Sequence, residues 1–108
     1  MRQLKFKKQT TQGLIDGILR VHEKYIYIKY NDTTQTKQVI AEFRKKGVSI
    51  EEGKGWLKID LLGDNKTIKL GDWYIDLEED DMNKVEEKLF QFYINQYNQM
   101  GFYVEVKE

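Results

Sequence analysis

The stretch from Glu78 to Met100, EEDDMNKVEEKLFQFYINQYNQM, decides the fold. It is the longest run of helical periodicity in the chain, and everything before it breaks into short alternating segments. At about 100° per residue from Met82, Val85, Leu89, Phe92, Tyr93 and Met100 gather within about 50° of one line. Lys84, Glu87, Lys88, Gln91, Asn95, Asn98 and Gln99 take the far side. The acidic entry, Glu78, Glu79, Asp80 and Asp81, offers an N-cap and negative charge where unpaired N–H groups favour it. Gly101 suits a left-handed exit. An apolar stripe of this kind needs a sheet to pack on. The expected fold is α+β, one domain over residues 1–108, with a curved, mainly antiparallel sheet of about six or seven short strands on one long C-terminal amphipathic helix.

Working back from the helix, WYIDL places Trp73, Ile75 and Leu77 on one face, with Gly71 and Asp72 as a kink or bulge before it. WLKIDLL alternates Leu57, Ile59 and Leu61 against Lys58 and Asp60, and Gly63, Asp64 and Asn65 reverse it into KTIKL as a hairpin. VSI, at Val48 to Ile50, reads as a short strand leading into the glycine turn EEGKG. Upstream, LIDGILRVHEKYIYIKYND reads as another hairpin turning around His22, Glu23 and Lys24. Leu19 and Val21 share a face of its first strand, and Ile26, Ile28 and Tyr30 share one of its second. Leu4 to Lys8 (LKFKK) alternates apolar residues with lysines, the pattern of a protected edge strand. After Gly101, FYVEVKE reads as a last strand returning to a sheet edge.

The segment TKQVIAEFRKKG admits two divisions. As a short helix near 36–46 it gathers Val39, Ile40 and Phe43 on one face, with Thr34 or Thr36 as cap and basic residues before Gly47. As a strand it would align Val39, Ala41 and Phe43 and leave Ile40 with Gln38 and Glu42. The helix is the cleaner division.

Composition removes several function classes. With 108 residues and no Cys, the chain has room for one core and no thiolate chemistry or disulfide framework. MRQLKFKKQ at the N-terminus has no apolar stretch behind it, and no run approaches a membrane span, so a cytoplasmic protein is expected. The zero net charge conceals a division: residues 1–46 carry 11 Lys/Arg against 4 Asp/Glu, and residues 47–108 carry 7 against 14. With one His (His22) and one Ser (Ser49), neither a catalytic triad nor a His-based zinc site can be assembled convincingly. Asp76, Glu78 and Asp80 have the opening spacing of a calcium loop with Glu87 closing it, but Asp81 stands where that loop turns on Gly. No glycine-rich phosphate loop is present. The expectation is a non-enzyme without metal or cofactor.

Two binding surfaces remain as candidates. Phe90, Ile94 and Tyr97 widen the apolar arc of the helix to about 200°, more than one sheet face covers. Either the C-terminal strand folds over that flank or a protein partner or second copy does, assisted by the acidic residues Asp76, Glu78, Glu79, Asp80 and Asp81. Alternatively, Lys5, Lys7, Lys8, Arg20, Lys24, Lys29, Arg44, Lys45 and Lys46 interleave with Phe6, Tyr25 and Tyr27, the mixture of cations and rings that a nucleic acid needs.

YIYIKYND, KQVIAEFRKKGVSIEEGKGWLKIDLLGDNKTIKL and the box Gly71, Asp72, Trp73, Tyr74, Ile75 resemble a group of small phage and prophage proteins of unknown function. ILRVHEKYIYIKY, VIAEFRKKG and the terminal helix also resemble bacterial pleckstrin-homology-like domains, which would imply a strand over Val39 to Phe43, a curved barrel plugged by the helix, and an adaptor role. The expected function is a non-catalytic protein-binding module encoded by a phage or other mobile element, with inhibition of a host defence protein as one expected role. A nucleic-acid-binding accessory protein is the alternative.

Overall fold

The computed structural model describes residues 2–22, 25–31, 33–44, 49–61, 67–70, 73–76 and 81–107, leaving aside the side chains of residues 35, 39, 42–44, 70, 73, 74 and 82. Strands β1 (Arg2–Thr10) and β2 (Gly13–Val21) form an antiparallel hairpin in which Leu4 faces Leu19 and Phe6 faces Gly17. β3 (Tyr25–Tyr30) pairs with the other side of β2, placing Ile28 beside Leu19 and Ile26 beside Val21. The chain then forms α1 (Thr34–Arg44), β4 (Ser49–Gly53), β5 (Trp56–Asp60), β6 (Thr67–Leu70), β7 (Trp73–Asp76), α2 (Met82–Gln99) and β8 (Tyr103–Lys107). Six strands make one antiparallel sheet in the order β4-β5-β3-β2-β1-β8, while β6 and β7 pair separately. The molecule is an α+β domain with α2 packed across one face of the larger sheet.

Period-two alternation explains the layers. Leu4, Phe6, Leu19, Val21, Ile26, Ile28, Leu57 and Ile59 point to the helix side and are buried with Val85, Leu89, Phe92 and Tyr93 of α2. Ile68 and Ile75, opposite one another in the small sheet, join the same core.

The end of α2 directs the last strand. Gly101 takes φ +82°, its N–H donates to the Asn98 carbonyl at 3.0 Å, and the Phe102 N–H donates to the Tyr97 carbonyl at 2.9 Å. These are the two reversed bonds of a Schellman exit, accompanied by its usual apolar contact, Phe102 edge-on to Tyr97 with centroids 5.3 Å apart. Lys8 adds a hydrogen bond from its ammonium to the Met100 carbonyl at 2.8 Å. The chain so reversed lays β8 along β1.

Four expectations are corrected. β1 is an interior strand, because β8 occupies the side of it that would otherwise be an edge. β5 does not pair with KTIKL: β4 and β3 take both of its sides, and β6 pairs with β7 instead. The proposed turn at Gly63 to Asn65 and the kink at Gly71 and Asp72 lie outside the described residues. Helix α1 is capped by Thr33, whose hydroxyl accepts from the Thr36 N–H at 3.1 Å, and neither Thr34 nor Thr36 is the cap. A helix over 34–44 leaves no strand at Val39 to Phe43, so a pleckstrin-homology-like barrel is not built. The expected acidic cap is present: the Asp81 carboxylate accepts from the Lys84 N–H at 2.8 Å, and helix α2 begins at Met82.

Candidate functional site

The two candidate surfaces fare differently. On the helix flank Phe90 is 4% exposed and Tyr97 0%, while Ile94 is partly buried against the core. The Phe6 ring stacks on Tyr97 at 4.4 Å and 15° between planes, and Phe102 closes over both. Tyr97 is therefore covered from within, by Phe6 of β1 and by Phe102 on the approach to β8, and Phe90 lies in the core as well. Burial holds the hydroxyl pKa of Tyr97 well above its ordinary value and raises that of Tyr93. Of the acidic group, Asp81 is exposed and spends its carboxylate on capping, and Asp76 is half-buried in β7. Glu78, Glu79 and Asp80 lie outside the described residues.

The outer face of the six-stranded sheet carries the second candidate. Alternation sends Lys5 and Lys7 of β1, Asp16, Ile18 and Arg20 of β2, and Tyr25, Tyr27 and Lys29 of β3 to the side away from α2. Trp56 and Lys58 of β5 join them, as do Tyr103, Glu105 and Lys107 of β8. Lys8 points the other way and belongs to the end of α2. Lys24, the Arg44 side chain, Lys45 and Lys46 lie outside the described residues, and Phe6 is buried in the core.

Pairing aligns this face into rows. One runs Glu105, Lys5, Ile18, Lys29, Trp56; the next runs Lys107, Gln3, Arg20, Tyr27, Lys58, Glu51. In these central rows the cations occupy the inner strands as well as β8, and the only carboxylates stand on the edge strands β8 and β4. Asp16 and Asp60 fall in flanking rows. The rings are held in place by their neighbours: Tyr27 and Trp56 lie nearly parallel, with centroids 6.1 Å apart and 22° between planes. The Arg20 guanidinium lies 5.9 Å from the Tyr27 centroid and donates to the Gln3 side chain at 3.2 Å. The Lys58 ammonium sits 4.3 Å above Tyr25, whose other neighbour is the stacked ring of His22. Partial burial first, then positive charges including Arg20 and Lys58, hold the His22 pKa below its ordinary value, with Glu86 opposing.

Two shallow depressions open beside these rows. One, of about 250 Å³, lies between Lys5, Lys7, Asp16 and Tyr103; the other, of about 320 Å³, lies between Lys5, Ile18, Lys29 and Asn31. Lys5 lines both. On the β8 side, Glu105 is hydrogen-bonded by Lys107 at 2.9 Å, which lowers its pKa.

Trp56 and Lys58 were not among the site residues expected from the sequence. Their alternation in WLKID was visible, but which strands would be neighbours was not. Among the described residues no group of three or more His, Cys, Asp or Glu is placed to hold a metal, and no helix is long and apolar enough to cross a membrane. Comparison with protein-family models, with curated proteins and with solved structures finds no match for the chain.

Proposed function

We propose that this protein is a non-catalytic binding module whose working surface is the outer sheet face, and that its partner is a polyanion, nucleic acid being the leading class. The observation that carries the reading is the pair of central rows, in which Lys5, Arg20, Lys29 and Lys58 come from four adjacent strands and alternate with Tyr27 and Trp56. Protein interfaces are depleted in lysine, whereas phosphate backbones are neutralised by it. A protein partner, such as a host protein inhibited by a mobile element, has less support: Phe90 and Tyr97 are buried and Asp81 is engaged in capping α2.

Binding of a fluorescently labelled nucleic acid at low salt tests the proposal. Affinity should fall steeply as salt rises, with a slope of roughly −2 to −4 in log K against log salt for a contact involving that many cations. Lys5→Glu with Lys29→Glu, both at exposed positions, should abolish it. Absence of binding to any polyanion at low salt defeats the reading.

A further inference from the structure

We infer that the polyanion is a single strand of nucleic acid, lying across the strands with bases on the Tyr27 and Trp56 rings and phosphates over Lys5, Arg20, Lys29 and Lys58. The inference rests on the outer face being the binding surface, and four features narrow the occupant.

The first is the seating of the indole. Trp56 faces Gly53 across the β4–β5 pair, and a Cβ on Gly53 would overlap the indole at Nε1 and Cε2. The missing side chain lets the ring settle over the edge strand, next to the nearly parallel Tyr27 ring. Both rings are only partly buried and keep surface toward solvent. Stacked aromatic platforms of this kind accept unpaired bases regardless of sequence.

The second is the placing of cations around those rings. Arg20 and Lys58 are the cross-strand neighbours of Tyr27 on its two sides, and Lys29 is the neighbour of Trp56. A ring for the base with a cation a strand spacing away for the phosphate is the repeat a single strand requires. A uniformly sulfated polysaccharide or an acidic peptide would use the cations and leave the rings idle.

The third is the shape of the surface. Among the described residues the face is a sheet without a helix or ribbon rising from it to enter a groove, so a duplex would be met through its phosphates. Its bases, already stacked on each other, could not reach Tyr27 or Trp56.

The fourth is the length. From Lys5 on β1 to Lys58 on β5 the cations span three strand spacings, about 14 Å, room for roughly three nucleotides.

The test titrates the full chain with a ten-nucleotide single-stranded DNA or RNA, the matching duplex, heparin and polyglutamate, following both anisotropy and tryptophan fluorescence. The expected result is single-strand binding at least roughly tenfold tighter than duplex, with fluorescence quenching that Trp56→Tyr removes and weakening of roughly tenfold or more in Trp56→Ala that Trp56→Tyr largely avoids. If Trp56→Ala does not fold, Lys29→Glu at its exposed position replaces it and should weaken the single strand by a similar factor. Equal binding of duplex, heparin and single strand, with no effect of losing the Trp56 ring, overturns the inference while leaving a polyanion surface in place. Preferential binding of polyglutamate overturns it in favour of an acidic protein. Failure of all four ligands overturns the binding face itself.

Discussion

Phe6 and Gly17 face one another across β1 and β2, and the phenyl ring occupies the space that a Cβ on Gly17 would need. On its other side the same ring stacks on Tyr97 of α2. Gly17 thus sets how closely sheet and helix approach. A Cβ at this position would also meet the Lys29 carbonyl oxygen, which belongs to the backbone and cannot rotate away. Gly17→Ala should destabilise by about 1–3 kcal/mol, the usual cost of overpacking a core, and trimming Phe6 should not restore it fully. Urea denaturation of the two single variants and the double variant measures both.

The burial of Tyr97 predicts an unequal pair of alanine variants. Tyr97→Ala removes a ring held between Phe6 and Phe102 and should cost about 3–5 kcal/mol. Tyr103→Ala, at a position 62% exposed, should change stability by less than about 0.5 kcal/mol. Comparable losses would mean that α2 does not pack through Tyr97.

Asn31 continues the sheet where β3 ends. Its side chain accepts from the Asp16 N–H at 3.0 Å and donates to the Leu14 carbonyl at 2.7 Å, taking the bonds a further strand residue would make. The same oxygen accepts from the buried Thr36 hydroxyl at 2.8 Å, tying α1 to the sheet. Asn31→Ala should therefore cost about 1–3 kcal/mol. Asn31→Asp keeps the acceptor for Asp16 and Thr36 but sets a carboxylate oxygen against the Leu14 carbonyl oxygen, so it too should lose stability. Amide exchange at Asp16 should quicken in Asn31→Ala and much less in Asn31→Asp.

His22 predicts a pH dependence with a definite sign. Its pKa is lowered from 6.5 in the folded protein, so the unfolded chain binds the proton first on acidification. Stability contributed by the neutral imidazole is full above about pH 6.5 and declines as the pH falls below that value. His22→Gln should flatten this part of the profile, separately from any constant loss caused by removing the ring stacked on Tyr25. Urea midpoints at pH 8, 6.5 and 5.5 for the two proteins check it, and identical slopes would refute it.

The amphipathic stripe of Val85, Leu89, Phe92 and Tyr93, the alternation of Ile26, Ile28, Leu57 and Ile59, and a short helix near 36–46, observed over 34–44, were legible in the sequence. They depend on spacing along the chain, which local geometry converts directly into a buried face. Gly101 was legible as a helix exit for the same reason. The neighbours of each strand were not legible, because alternation assigns a residue to a face and says nothing of which strand lies beside it. Only the tertiary structure places β8 against β1, so that the flank of Phe90 and Tyr97 becomes core. The same pairing order brings Lys5, Arg20, Lys29 and Lys58, scattered over residues 5–58, onto one face with Tyr27 and Trp56. Local chemistry determined the elements, and long-range pairing decided which of their residues can meet a partner.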